Sequence, residues 1–188
     1  MKRLIFASIL SAFCAIATHA KAADECGKPS MDIYTADLIS KTGAVFERKS
    51  PGGNSFLHLG VIDFNIQCGA PYPGIDVDIK MGFPPREFFD IAATAATVLV
   101  KAPKAEILAA LYACQKAAIK NEGDERAEYL RDKAAAKKRG DPPPEDWTNG
   151  GHVDAMKVTN GVIDCVSFRE PERQWTHFSF GPPAGPKR

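Results

Sequence analysis

Three polar residues near the C-terminus have side chains that could perform acyl-transfer chemistry. His152 and Asp154 are two positions apart, so on a β-strand both side chains would lie on one face. A tight turn at Asn160-Gly161 would bring Ser167 back opposite Asp154. In serine hydrolases a histidine takes the proton of the serine, and an aspartate orients that histidine. The sequence therefore leaves open a small cell-envelope hydrolase that uses these three residues.

Other motifs for catalysis or cofactor binding are missing from the chain. It contains no GxSxG elbow, Walker loop, GxGxxG fingerprint or HExxH pair. Asp63, Asp76 and Asp78 would share one face of a sheet, but calcium usually takes six or more oxygen ligands from a curved loop. We therefore expect a solvated sheet face there, with no metal and no cofactor, and we favour a binding role over an enzymatic one.

Aromatic side chains are concentrated on what would be the outward face of the C-terminal strands. The residues that we expect to form a binding surface there are Phe168, Trp175, His177 and Asp164. Exposed aromatic patches are typical of contact surfaces, although another layer of the same protein could cover this one. Our leading hypothesis is a binding or inhibitory module that recognises a protein or an envelope ligand. A structural or assembly role in the envelope is a further alternative.

The N-terminal half has the period-two pattern of antiparallel strands. A long strand is predicted over Phe56–Cys68 and a second one over Ile75–Met81. A hairpin between them would pair Cys68 with Ile75, Ile66 with Val77 and Phe64 with Ile79. Weaker patterns predict short strands over Tyr34–Leu38 and Ala44–Lys49.

The C-terminal part is predicted to be a three-stranded piece that could complete the same sheet. The turn at Asn160-Gly161 would pair Val158 with Ile163 and Met156 with Cys165. A later turn over 170–173 would pair the third strand with the second. It would place Cys165 opposite Phe178, Ile163 opposite Phe180, Phe168 opposite Trp175 and Val166 opposite His177.

Helices are predicted between the two groups of strands. Pro84-Pro85 opens the first, whose apolar stripe is Phe88, Ala92, Ala95 and Leu99. The second has Ile107, Leu111, Cys114 and Ala118 on one face and is predicted to end at Asn121-Glu122-Gly123. Residues 124–139 form a charged helix, either simply solvated or an arm that reaches a partner. A proline-rich linker follows, so that helix and linker together occupy 124–147.

The first 22 residues have the pattern of a cleaved secretory signal peptide. A cationic start precedes an apolar stretch from Leu4 to Ala17, which is too short to span a bilayer, and Ala20-Lys21-Ala22 fits a cleavage site. Cleavage removes three positive charges and no acid, so the net charge falls from +1 to −2. We therefore expect a secreted protein, periplasmic in a Gram-negative host, with no transmembrane segment after cleavage and no nucleic-acid partner.

Export makes the cysteines disulfide candidates. Cys26, Cys68, Cys114 and Cys165 would remain after cleavage, an even number in an oxidising compartment. We predict the pairs Cys26–Cys68 and Cys114–Cys165, while Cys68–Cys114 is the rival. The expected fold is α+β: an antiparallel sheet packed on two or three central helices and stapled by disulfides. A single domain would cover 23–181, before a disordered tail at 182–188.

Overall fold

A single antiparallel sheet with helices on one side forms the fold. The computed structural model describes residues 29–50, 52–68, 73–145, 150–170 and 173–182; the predicted signal peptide and most of the predicted tail lie outside them. The elements are α1 (Pro29–Thr42), β1 (Val45–Ser50), β2 (Gly53–Leu57), β3 (Asp63–Cys68), β4 (Pro73–Ile79), α2 (Arg86–Ala96), α3 (Lys104–Arg139), β5 (Gly151–Val158), β6 (Gly161–Glu170) and β7 (Arg173–Gly181). The strand order is β1-β2-β3-β4-β7-β6-β5. Because β4 pairs with β7, the N-terminal and C-terminal strands form one sheet, which confirms the α+β prediction.

The core lies between the sheet and the helices α2 and α3. Apolar side chains at alternate positions of the central strands, such as Ile75 and Val77 on β4 and Phe178 on β7, are fully buried. Phe88 of α2 stacks on Phe178 with ring centroids 5.8 Å apart. We use the term outer face for the other side of the sheet, which points away from α2 and α3.

The first half of α3 is attached to the sheet by packing and by a disulfide. Its predicted apolar face is fully buried, and this includes Cys114. Cys114 is bonded to Cys165 of β6, with Cα atoms 6.1 Å apart. This bond confirms one predicted pair and rules out the rival Cys68–Cys114 pair. Cys68 is also disulfide-bonded, and Cys26, the partner predicted for it, lies outside the described residues.

The predicted end of the second helix is wrong. α3 continues without a break through Gly123 for 36 residues and ends at Gly140, whose φ of +77° is the left-handed conformation that glycine favours at a helix end. Glu122 is buried, and its carboxylate accepts hydrogen bonds from the backbone N–H and the guanidinium of Arg169 on β6. Gly151 lets β5 approach closely, because a Cβ there would lie 1.8 Å from the Ala118 carbonyl oxygen. These tertiary contacts hold the helix together where the local sequence predicts a stop.

Two strand predictions are also wrong. Residues 34–38 are helical, within α1, where Leu38 is buried. The long strand predicted over Phe56–Cys68 is two strands, β2 and β3, separated by a turn in which Gly60 has a φ of +82°. The short strand predicted near Ala44–Lys49 corresponds to β1 and is confirmed.

Both predicted hairpins exist with a different register. In the first, Ile66 pairs with Ile75 and Phe64 with Val77, two positions from the prediction. In the second, the turn is Thr159-Asn160, so that Met156 pairs with Ile163 and Val158 with Gly161. A shift of two keeps each side chain on its predicted face, since the side-chain period of a strand is two. The four predicted pairs between β6 and β7 are confirmed.

Candidate functional site

A row of side chains, polar except for Val166, crosses the outer face perpendicular to the strands. Asp63 on β3 pairs with Asp78 on β4, which pairs with His177 on β7. His177 in turn pairs with Val166 on β6, and Val166 pairs with His152 on β5. Neighbouring residues across strands are close enough for their side chains to interact, so the pairing places carboxylates around one imidazole.

His177 lies between two carboxylates. Its Nδ1 is 2.6 Å from Oδ1 of Asp78, and its Nε2 is 3.9 Å from Oδ1 of Asp76. Burial lowers the pKa of His177, but the hydrogen bond to Asp78 and the negative charges of Asp78, Asp76 and Asp164 outweigh it, so the pKa is raised above its ordinary value. The imidazolium form is therefore favoured over a wider pH range than in a free histidine.

Asp76 is the most unusual member of this cluster. It points to the outer face from the middle of β4, yet only 4% of it is exposed. Burial raises its pKa, although a hydrogen bond with Ser179 and the charge of His177 act in the opposite direction. Its Oδ2 atom is buried and makes no hydrogen bond within the described parts of the chain. Such an oxygen is costly, because a buried polar group normally has a partner.

Negative charge on this part of the outer face exceeds what His177 can balance. We call Asp63, Asp76, Asp78, Asp164 and His177 the acidic cluster; Asp63 acts on Asp76 and Asp164 acts on His177 electrostatically. Asp63 and Asp78 are directly opposite each other, an arrangement that destabilises a sheet when both are charged. The sequence predicted a solvated face here. The structure instead gathers carboxylates around one imidazole, and this arrangement attracts a cation.

The aromatic residues predicted to bind a ligand have different environments. Trp175 is 37% exposed, and its ring centroid is 6.2 Å from that of His177. Phe168, opposite Trp175 in the register, is only 1% exposed, so a ligand cannot contact its ring in this structure. Among the described residues, the surface that remains available therefore combines the indole of Trp175 with the acidic cluster.

The proposed serine, histidine and aspartate set is not assembled. His152 Nε2 lies 3.0 Å from Asp154 Oδ1, and both side chains are exposed. Ser167, however, pairs with Gly151 and is fully buried on the helix side, where its hydroxyl lies 3.4 Å from Nε2 of Gln115. The predicted pairing of Asp154 with Ser167 is wrong for two reasons. The turn at Thr159-Asn160 shifts the register by two, and a bulge before Met156, with Ala155 at a φ of +52°, shifts it by one more. A bulge of this kind cannot be read from an alanine in the sequence.

Neither a metal site nor a chemically equipped cavity accompanies the acidic cluster. Within the described ranges, no three His, Cys, Asp or Glu side chains have the arrangement needed to hold a metal ion. A groove of about 420 Å³ lies beyond the end of β4; its lining is mainly apolar and has only two charged residues, Lys80 and Glu87. The groove offers volume with one carboxylate and one amine in its lining, whereas the acidic cluster lies on a sheet face.

Comparison with family models, with curated proteins and with solved structures gives no match to this chain. The function must therefore be argued from the geometry. The sequence did contain a signal for the acidic cluster, since Asp76 and Asp78 are two positions apart on β4 and Trp175 and His177 are two positions apart on β7. The sequence did not show that β4 and β7 are neighbours in the sheet, because they are far apart in the chain, with α2 and α3 among the elements between them.

The raised pKa of His177 predicts a pH-dependent contribution to stability. A group whose pKa is higher in the folded protein than in the unfolded chain stabilises the fold at pH values below its pKa in the unfolded chain. That contribution is lost as the pH rises through its pKa in the folded protein. Wild-type protein should therefore exceed His177→Gln in unfolding free energy by more at pH 5 than at pH 9, as measured by urea unfolding. Asp63, Asp76, Asp78 and Asp164 are present in both proteins. His152→Gln, at an exposed position, is the matched control, and a difference that stayed constant or grew with pH would contradict the prediction.

Proposed function

We propose that this protein is an exported binding module whose outer sheet face recognises a positively charged segment of a protein partner. The observation that carries the proposal is the acidic cluster, in which three carboxylates act on one histidine and a fourth, Asp63, acts on Asp76. With all five groups ionised, the cluster has a net charge of −3. A basic side chain of a partner would add positive charge beside Asp63 and Asp78, where the cluster sets one histidine, His177, against four carboxylates.

Trp175 supplies the second element of recognition. Its half-exposed ring lies beside His177, at the edge of the acidic cluster. A lysine ammonium or an arginine guanidinium is attracted to the face of an indole as well as to carboxylates. Tryptophan is also among the residues that contribute most to protein interfaces. The combination favours a cationic group over an anionic or purely apolar one.

The shape of the surface favours a macromolecular partner. Small-molecule sites are concave and largely apolar, whereas the acidic cluster lies on the face of a sheet. The groove near Lys80 has the concave shape but lacks the charge. The Cys114–Cys165 disulfide supports export, because structural disulfides persist in oxidising compartments.

Binding of a lysine-rich peptide tests this proposal directly. We expect hexalysine to bind the wild-type protein in a titration calorimeter, and both Trp175→Ala and Asp78→Asn to weaken that binding about tenfold or more, the equivalent of about 1.4 kcal/mol. The melting temperature of Trp175→Ala should change little, because the ring is half-exposed.

Asp132→Asn is the matched control for Asp78→Asn, since it removes the same charge from an exposed position on α3. It should bind hexalysine like the wild type. Equal affinity of the wild type for hexalysine and hexaglutamate, or unchanged hexalysine affinity in Asp78→Asn, would contradict the proposal. A large loss of stability in Trp175→Ala would instead assign the ring a structural role.

A further inference from the structure

The second half of α3 extends beyond the part of the helix that packs on the core. Up to Glu122, buried residues recur along one side of the helix; after it, Ala136 is the one described α3 residue that is buried. We call residues 124–139 the arm. The arm continues a helix that the core has already nucleated, and most of its described side chains are exposed to solvent.

The charges of the arm are segregated around the helix. At 100° per residue, one side of the arm collects four cations and a narrow apolar stripe. This side, which we call the basic face, consists of Arg126, Ala127, Leu130, Arg131, Ala134, Lys137 and Lys138. Glu125, Glu128 and Asp132 lie on the opposite side, together with Arg139, which is paired with Asp141 at 2.6 Å. Asp124 is paired with Lys120 at 2.6 Å.

Solvent reaches the whole basic face. All seven of its residues are exposed, and Leu130 is 54% exposed. The other side of the helix contains the arm's less accessible residues, Tyr129 and Ala136. The Glu122–Arg169 ion pair fixes α3 to β6 immediately before the arm begins. The basic face therefore points outward from a helix whose direction is set by the domain.

We propose that the basic face binds the surface of an anionic phospholipid membrane, with the arm lying in the plane of the headgroups. Helices that lie on membranes have an apolar stripe flanked by lysine and arginine, whose long side chains reach the headgroup phosphates. Here Leu130 would enter the headgroup boundary between Arg126 and Lys137 on one side and Arg131 and Lys138 on the other. No helix within the described residues has the length and apolarity needed to cross a membrane.

Compensation of the helix dipole and docking into a protein groove both fit the basic face less well. Cations in the last turn of a helix compensate its dipole, but Arg126 and Arg131 are far from that turn. A protein groove would be expected to select large apolar or aromatic anchors, whereas the stripe offers only Leu130 between two alanines. To bind a diffuse layer of negative headgroups, a helix needs only positive charge and a shallow apolar contact.

Vesicle binding by the full exported chain tests the proposal. We expect co-sedimentation with vesicles that contain phosphatidylglycerol, at low ionic strength, and much less with pure phosphatidylcholine. A lysine near an anionic surface contributes about 1 kcal/mol, or about fivefold in partitioning, so the double variant Lys137→Gln/Lys138→Gln should bind about 25-fold more weakly. Leu130→Ser should weaken binding further without changing the charge.

The matched control is Lys49→Gln/Lys101→Gln, which removes two exposed cations from elsewhere on the surface. It should bind phosphatidylglycerol vesicles within about twofold of the wild type, a range below the effect of one lysine. Circular dichroism should show the same helix content in all variants. The proposal is overturned if the wild type binds both kinds of vesicle equally, or if the Lys137/Lys138 variant binds like the control. Binding through the N-terminal segment would give that second result, since all variants share this segment.

Discussion

Replacing Glu122 with alanine is expected to lower the free energy of unfolding by about 3 kcal/mol, at the lower end of the range for breaking a buried ion pair. Glu122 is 2% exposed, and its Oε1 accepts the backbone N–H of Arg169 at 2.8 Å, while Oε2 contacts the guanidinium. Removal of the carboxylate leaves a poorly solvated charge on Arg169. The Arg169 side chain is 26% exposed and donates a hydrogen bond to the Ile119 carbonyl oxygen. Both features limit the loss of unfolding free energy.

Urea unfolding measures this effect, and two further variants separate its causes. Glu125→Ala, at an exposed position on the same helix, should change the unfolding free energy by less than about 0.5 kcal/mol. The double variant Glu122→Leu/Arg169→Met removes both charges and should be more stable than Glu122→Ala, because no charge is then left unpaired. A Glu122→Ala protein within about 1 kcal/mol of the wild type would show that the pair contributes little, as surface pairs do.

Glu122 also shows why the sequence predicted the helix layer better than its limits. The apolar stripes of α2 and of the first half of α3 follow from the helical period, and the stripe residues within these helices are buried as predicted. Leu99, the last residue of the first stripe, lies beyond the end of α2 and is half-buried. Asn121-Glu122-Gly123 resembles a helix end, but a glycine inside a helix costs only about 1 kcal/mol. The ion pair with Arg169, 47 residues away in the chain, outweighs that cost. A window of local sequence cannot contain such a contact.

In the sheet, too, the sequence predicted the local pattern but not the contacts between distant residues. Alternation identified which side chains share a face, but it cannot distinguish registers that differ by two, because both keep Ile66 and Phe64 in the core. The two-residue register shift and the bulge at Ala155 together moved Asp154 out of its predicted pairing and left Ser167 opposite Gly151. The acidic cluster depends on the pairing of β4 with β7, two strands separated in the chain by α2, α3, β5 and β6. The candidate residues were visible in the sequence, and their proximity was not.

Within the acidic cluster, the proposed binding role works against stability. Asp76 has a buried oxygen without a hydrogen bond among the described residues, and like charges on opposed aspartates, the arrangement of Asp63 and Asp78, disfavour a sheet. Residues that a fold keeps at a cost to its own stability are characteristic of functional surfaces. The same reasoning separates this surface from Ser167, whose hydroxyl is near a hydrogen-bonding partner in the core and serves packing.

Loss of the Cys114–Cys165 disulfide is expected to lower the unfolding free energy by about 4 kcal/mol, the value for a closed loop of about 50 residues in the chain-entropy model. The two cysteines are 51 positions apart and fully buried, so alanine is the suitable replacement at both sites. Urea unfolding of Cys114→Ala/Cys165→Ala against the wild type, both oxidised, measures the loss. A difference below about 1 kcal/mol would mean that packing between α3 and β6 already constrains this loop.

The same bond ties the two proposed surfaces to one body. It joins α3, which carries the arm, to β6, whose Asp164 belongs to the acidic cluster. Natural domains have only about 5–15 kcal/mol of total stability, so a loss of about 4 kcal/mol is a large part of it. Reduced wild-type protein should therefore have a urea midpoint no higher than that of the oxidised double alanine variant, because reduction also breaks the disulfide of Cys68. Because both sulfurs of the Cys114–Cys165 bond are buried in the folded state, dithiothreitol should reduce this bond only as fast as the chain unfolds.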